Sequence, residues 1–375
     1  MDTRQAIDNL AMFVRAMIND GVRSKKQFNT WKKQEKNNIL MEEFFAYKQN
    51  QGMPKINSLV TVDFHPDIPV LLLNYTQVAH NTLHEFPQGW TMPLRQCRGI
   101  IFDFAGNLVA KPFQKFFNYR EHPETSSFPK NTYFTATQKK DGHLGIIFEF
   151  KGKLYITTRG SFSSPTVELA QKMLNQYAKV NNWDKVFNAN DTVLVEIIHP
   201  KTKVYTDYDK FKAFVLIGAF SRSNLHDYWF YELADLSKKL GLPLVYQKDG
   251  KSIDELLELV KDKEIKNQEG YVLHFNNGLR VKLKFESYIG LMVADKLSYK
   301  YLMQRAMSGN LDKMLDTLPE EIYQIALQML GKIYLILLKN LPQKEKWTEL
   351  YQLVQEEERT SYYKTICRQF VKKLA

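Results

Sequence analysis

The chain has 375 residues, of which 44% are hydrophobic and 25% charged, and its formal net charge is +11. That length suits two domains, or one large domain with appendages, in a soluble globular protein with a real core. The positive balance suits a polyanionic partner, while two distant cysteines, Cys97 and Cys367, exclude a disulfide scaffold and a zinc site and fit a reducing cytosol.

The opening residues are expected to lead into a helix and not to form a signal peptide. Ile7, Leu10, Phe13, Val14, Met17 and Ile18 recur at helical spacing and predict an amphipathic helix over about 5–19. The basic run Arg23 to Lys36 carries Phe28 and Trp31 and reads as a solvated helix face with two buried aromatics. A further helix is expected over Ile39–Tyr47, so residues 1–60 read as a helical extension.

Strands dominate from about 60 to 285. Pro69–Asn74 is one, and Gly99–Phe104 and Leu108–Phe113 flank the turn Ala105-Gly106-Asn107. Tyr133–Gln138 and Leu144–Phe150 flank Lys139-Lys140-Asp141-Gly142-His143, and a hairpin follows around Lys151-Gly152-Lys153. Ser164 and Pro165 open a helix as N-cap and first residue. Thr192–Ile198 and Lys212–Phe220 read as central strands, and Ser252 with Glu255 forms a capping box. Tyr271–Phe275 and Leu279–Lys284, joined by Asn276-Asn277-Gly278, predict a last hairpin. Residues 289–375 are helical, with no alternating strands of a barrel. Ile322–Leu338 is broken by Gln324, Gln328 and Lys332, too polar a run for a membrane span. The fold class is therefore α+β, with antiparallel sheets between helical ends.

In an extended segment, residues two apart share a face, so Lys139 and Asp141 are expected in one pocket with Lys140 turned away. Gly142 lets the backbone approach a ligand. A lysine in a pocket is a candidate nucleophile if its surroundings free its lone pair. Arg98, Lys115, Arg159, Glu196, Glu269 and the pair Lys282 and Lys284 all fall at strand ends or turns. Glu196, inside Val193-Leu194-Val195-Glu196-Ile197-Ile198, is costly to bury unless it meets a cation or a metal.

These blocks, in order, are Cys97-Arg98-Gly99-Ile100, Pro112-Phe113-Gln114-Lys115-Phe116-Phe117-Asn118, Lys139-Lys140-Asp141-Gly142, Arg159-Gly160-Ser161, Glu196, Glu269-Gly270-Tyr271-Val272 and Lys282-Leu283-Lys284. They resemble the ATP-dependent RNA ligase 1 family of T-even phages, within the covalent nucleotidyltransferase superfamily. The resemblance runs to about Tyr288, with arginine at 159 where the family usually has lysine and His143 in place of a small residue.

The resemblance implies a nucleotidyltransferase domain over 61–288 in which Lys139 becomes lysyl-AMP and Lys282 and Lys284 assist. Arg98, Lys115, Phe117, Asp141, Gly142, Arg159, Glu196 and Glu269 would bind the nucleotide, with Glu196 and Glu269 holding Mg²⁺ or Mn²⁺. ATP would be the substrate, with RNA bearing a 5′-phosphate and a 3′-hydroxyl, such as a broken tRNA, as partner. The expected protein is a cytoplasmic monomer without membrane association. Other readings are a GTP-dependent capping enzyme, a DNA ligase, or a basic RNA-binding protein without catalysis.

Overall fold

The computed structural model of the protein describes residues 1–375 apart from 84, 129–131, 250, 354–360 and 375. The chain forms two compact units, Met1–Phe285 and Glu286–Ala375. Helices occupy Thr3–Asn19, Lys25–Trp31 and Glu35–Phe44, the first capped by the Asp2 carboxylate on the Gln5 amide. Phe13, Val14, Phe28, Trp31 and Phe45 bury against Val60, Leu71, Leu73 and Phe102 of the first sheet. The ring of Phe13 meets that of Phe45 edge-on at 5.1 Å. Residues 1–60, set apart in the sequence as an extension, thus share a core with the strands that follow. The apolar stripe of an amphipathic helix needs a surface to cover, and the sheet supplies it.

Three sheets organise the first unit. The first contains β1 (Val60–Phe64), β2 (Val70–Tyr75), β3 (Arg98–Asp103) and β4 (Leu108–Ala110), in that order. The strand expected over 108–113 stops at Ala110, because Pro112 has no backbone donor to continue the ladder. Next in the chain come β5 (Phe117–Asn118), β6 (Phe134–Lys139), β7 (His143–Phe150) and β8 (Lys153–Thr158). The turn between β7 and β8 places Lys151 and Gly152 at φ 52° and 78°, the left-handed pair that tight hairpins require. Then follow β9 (Asp191–Ile198), β10 (Ala213–Ser221), β11 (Gln247–Lys248), β12 (Gly270–Phe275) and β13 (Arg280–Lys284).

The second sheet has the order β10-β9-β7-β8 and the third β11-β6-β12-β13-β5. The pairings are antiparallel except that of β13 with β5, which is parallel. Leu72, Ile101, Ile146, Phe148 and Leu194 form a core between the first and second sheets. Helix Pro165–Val180, capped by Ser164, and helix Phe230–Leu240 cover the far side of the second sheet. The expected capping box holds, with Ser252 and Glu255 exchanging hydrogen bonds at the start of helix Ile253–Leu259.

The described residues of the second unit contain helices and no strand. Its longest helix, Glu320–Leu338, buries Ile322, Ala326 and Ile333 completely. By length and composition Glu321–Leu338 is apolar enough to cross a membrane, with a mean hydropathy of 1.3 despite Gln324, Gln328 and Lys332, so it is less polar than expected. Only 28% of that window is buried.

Candidate active site

The third sheet sets the lysines by register. Gly270 pairs with both Lys139 on β6 and Lys284 on β13, and Val272 pairs with Thr137 and Lys282. Cross-strand partners share a face, so Lys139, Lys282 and Lys284 project from the same side. Gly270 sits at φ +153°, and a Cβ there would lie 1.9 Å from the Leu283 carbonyl oxygen. Any side chain would push apart the strands that bring the lysines together.

One carboxylate joins two of them. Lys139 Nζ donates to Glu269 Oε2 at 2.8 Å, and Lys284 Nζ lies 3.4 Å from Glu269 Oε1. The side chain of Glu269 is 6% exposed and that of Lys139 24%, so the lysine is the more exposed member of this pair.

Glu196 faces the cluster from β9 and accepts the Gly142 amide at 3.1 Å. Gly142 is required at this contact, since a Cβ would come within 2.5 Å of the Ile197 carbonyl oxygen. Burial pushes the Glu196 carboxyl up, Lys139 and Arg98 pull it down, Glu269 adds to the rise, and the outcome is about 7. A strand acid is thus held between ionised and neutral forms, as its sequence context suggested.

A second group of cations lies alongside. The Arg98 guanidinium and the Lys282 ammonium sit 5.4 and 5.3 Å from the centre of the Phe116 ring. One guanidinium nitrogen of Arg98, Nη1, is buried without a hydrogen-bond partner among the described residues. Arg159 donates to the Tyr75 hydroxyl at 3.2 Å and lies over its ring. Lys115 is buried, with its ammonium 2.8 Å from Glu121 and 4.6 Å from the Phe117 ring centre.

Not every expected residue joins this cluster. Strand β6 ends at Lys139, so the alternation that would carry Asp141 to the same face stops short of it. Asp141 is buried and its carboxylate accepts the Tyr205 and Thr206 amides at 2.8 and 2.6 Å, which ties down the following loop. Lys140 leaves the cluster, and its ammonium lies 5.6 Å from the Tyr208 ring. Phe117 pairs with Val281, on the opposite face from Lys282, and its ring stacks on His122 at 4.2 Å. Tyr288 belongs to the second unit.

Sequence reasoning passed over Tyr75 and His80. Tyr75, at the end of β2, is 4% exposed; burial pushes its phenol up, yet Arg159, Lys115, Arg98 and Lys282 together bring it down to about 8. Burial, Lys115, Lys282 and Arg159 hold the His80 imidazole well below its usual value. Both lie before the recognisable motifs, and no local pattern marks them.

Glu196 and Glu269 are hard oxygen donors of the kind Mg²⁺ and Mn²⁺ accept. No group of three or more His, Cys, Asp or Glu gathers among the described residues. A divalent ion here would complete its coordination with water and phosphate oxygens.

The chain is similar to known proteins. A family model described as RNA ligase matches residues 96–289, just over half of the chain. A curated protein of Thermovibrio ammonificans named "Putative RNA ligase" is 29% identical over 191 residues, covering 50% of this chain and 49% of that one. The chain thus spans about half the length of this relative. Among solved structures, Naegleria gruberi RNA ligase with pyrophosphate aligns at 16% identity and a TM-score of 0.36, over 43% of this chain and 52% of that one. A mutant of the same ligase with ATP and manganese aligns at 18% identity and a TM-score of 0.36, over 42% and 51%. On the match that runs from Gln96 through both lysines of β13, the chain belongs to the RNA ligase family.

Proposed function

We propose that the protein is an ATP-dependent RNA ligase that joins 5′-phosphate and 3′-hydroxyl RNA ends through a lysyl-AMP at Lys139. The observation that carries this reading is one sheet face bearing Lys139, Lys282 and Lys284, with Glu269 between two of them and Glu196 opposite. In the first step the Lys139 amine bonds to the α-phosphorus of ATP, and the bond to the bridging oxygen breaks to release pyrophosphate. An oxygen of the RNA 5′-phosphate then attacks that phosphorus and breaks the P–N bond. Finally a 3′-hydroxyl attacks the activated 5′-phosphate and AMP leaves.

A free lysine has a pKa of about 10.4 and attacks only as the neutral amine. Lys282 and Lys284 project from the same face as Lys139. Glu269, which pairs with Lys139, must release it before the amine attacks. Arg98, Lys115, Arg159 and Lys282 would hold the phosphates, with the unpartnered Arg98 Nη1 ready for a phosphate oxygen. Glu196 and Glu269 would hold a divalent cation, which when bound neutralises phosphate charge. RNA repair, with a broken tRNA as one substrate, is the role this chemistry fits.

A helical second unit, strand-free among its described residues, favours this reading over a capping enzyme or DNA ligase with an appended barrel. The test is circularisation of a 5′-phosphorylated single-stranded RNA with ATP and magnesium, beside the DNA of the same sequence. Ligation of the RNA is expected. A covalent GMP adduct without an AMP adduct, or RNA binding without any adduct, would overturn the proposal.

A further inference from the structure

Glu121 is absent from every motif named above, yet it is the carboxylate on which Lys115 rests. Lys115 Nζ donates to Glu121 Oε1 at 2.8 Å, with side chains 1% and 9% exposed. The other oxygen, Oε2, accepts the Asn118 backbone amide at 2.6 Å and the Asn118 side-chain amide. Asn118 pairs with Lys282 on β13, and the Tyr119 amide donates to the Lys282 carbonyl at 3.0 Å. One carboxylate therefore fastens the Lys115 ammonium to the strand beside the one carrying Lys282.

The chain accepts strain to do this. Arg120 adopts φ +64°, a left-handed conformation that L side chains rarely take, and the turn returns Glu121 to Lys115. The Glu121 amide donates back to the Asn118 carbonyl at 3.1 Å, which closes the turn.

Charge explains the need. Lys115 lies among Arg98, Arg159 and Lys282, whose fields act together on Tyr75. A buried ammonium among like charges loses its proton or swings toward water unless an anion faces it. Glu269 serves Lys139 and Lys284 in this way, and Glu121 serves Lys115.

We infer that Glu121 is a positioning residue that keeps Lys115 charged and aimed at the polyphosphate of ATP, and so sets nucleotide affinity without touching the reacting atoms. The inference rests on the proposed role of Lys115 as a phosphate ligand. It predicts a split: Glu121→Gln weakens ATP binding, while lysyl-AMP formation at saturating ATP stays close to wild type.

The experiment measures ATP affinity by calorimetry, and the adenylylation rate at saturating ATP, for the full-length wild type, Glu121→Gln, Lys115→Met and the double variant. Glu121→Gln should weaken ATP about tenfold or more, the scale of a hydrogen bond to a charged group. The double variant should bind ATP no worse than Lys115→Met alone. Removing both members of a buried ion pair is tolerated far better than removing one. If Glu121→Gln fails to fold, the double variant against Lys115→Met still decides. Wild-type affinity in Glu121→Gln, or a double variant weaker than Lys115→Met, would overturn the inference. A wild type that binds no ATP would instead remove the functional reading beneath it.

Discussion

Arg280 and His274 stand on the same sheet face as Lys139, Lys282 and Lys284, further along β13 and β12. There the charges are closed off. Both terminal nitrogens of Arg280 bond Asp227, with Nη2 to Oδ1 at 2.8 Å, and the guanidinium lies 4.5 Å from the Phe113 ring centre. Burial brings the His274 imidazole down to about 4, so it is neutral, and its ring stacks on Trp229 at 5.0 Å. Burial brings Lys111 down to about 7, against the pull of Asp227, with its ammonium 3.5 Å from the Phe220 ring centre. When Lys111 sheds its proton this seam carries no net charge.

The end of the face that carries Lys139 is built the other way. Arg98, Lys115, Arg159, Lys282, Lys284 and Lys139 outnumber Glu121, Glu196 and Glu269, and Arg98 keeps a buried donor unpartnered. Excess cation is costly in a protein interior and is useful where an anion arrives. A balanced cluster joins elements, and an unbalanced one binds.

Breaking each end should give different losses. Lys139→Ala is expected to reduce transfer of label from α-labelled ATP to background, while Lys140→Ala, whose side chain leaves the cluster, stays within a few-fold of wild type; equal loss in both would place the nucleophile elsewhere. At the seam, Asp227→Asn leaves Arg280 and Lys111 buried without their carboxylate. Urea unfolding should register a loss of ~3–5 kcal/mol, the scale for breaking a buried pair.

How much of this contrast the sequence revealed depends on the residue. Glu196 was legible because an acid in an apolar strand run has few acceptable surroundings. The lysines of β13 were legible because alternation fixes their face once the hairpin at Gly278 is recognised. Asp141 was misjudged in its surroundings because the alternation was carried two residues past Lys139, where the strand ends. Tyr75 and His80 were illegible because their meaning comes from residues far away in the chain, whereas Glu121 was passed over although its partners Lys115 and Asn118 lie within six residues of it. The N-terminal helices looked separate because an apolar stripe reveals that a surface is covered and not which one.

Smaller effects sharpen the comparison through pH. Lys111 has a folded value lowered from 10.5 to about 7, so the unfolded chain binds more protons between these limits and stability rises as pH climbs through them. Lys111→Met should be more stable than wild type at pH 6 by an amount on the order of 2 kcal/mol, with the gap shrinking toward pH 10. Glu196 acts with the opposite sign. Its folded value is raised from 4.5 to about 7, so without ligand its contribution to stability is lost as pH rises through that window. Glu196→Gln should flatten that fall by about 1 kcal/mol or more in unfolding measurements from pH 5 to 8. Both effects are read as the difference between variant and wild type, because the His274 and His80 imidazoles, held below their usual value, raise stability over the acid part of the same range.

The most direct test of the account is peptide-mapped mass spectrometry of nucleotide-free protein mixed with ATP and magnesium. The account predicts a chain heavier by one adenylate, carried on the side chain of Lys139 by a bond that added pyrophosphate reverses. An unmodified mass from folded protein, or an adenylate on any other lysine, would contradict it.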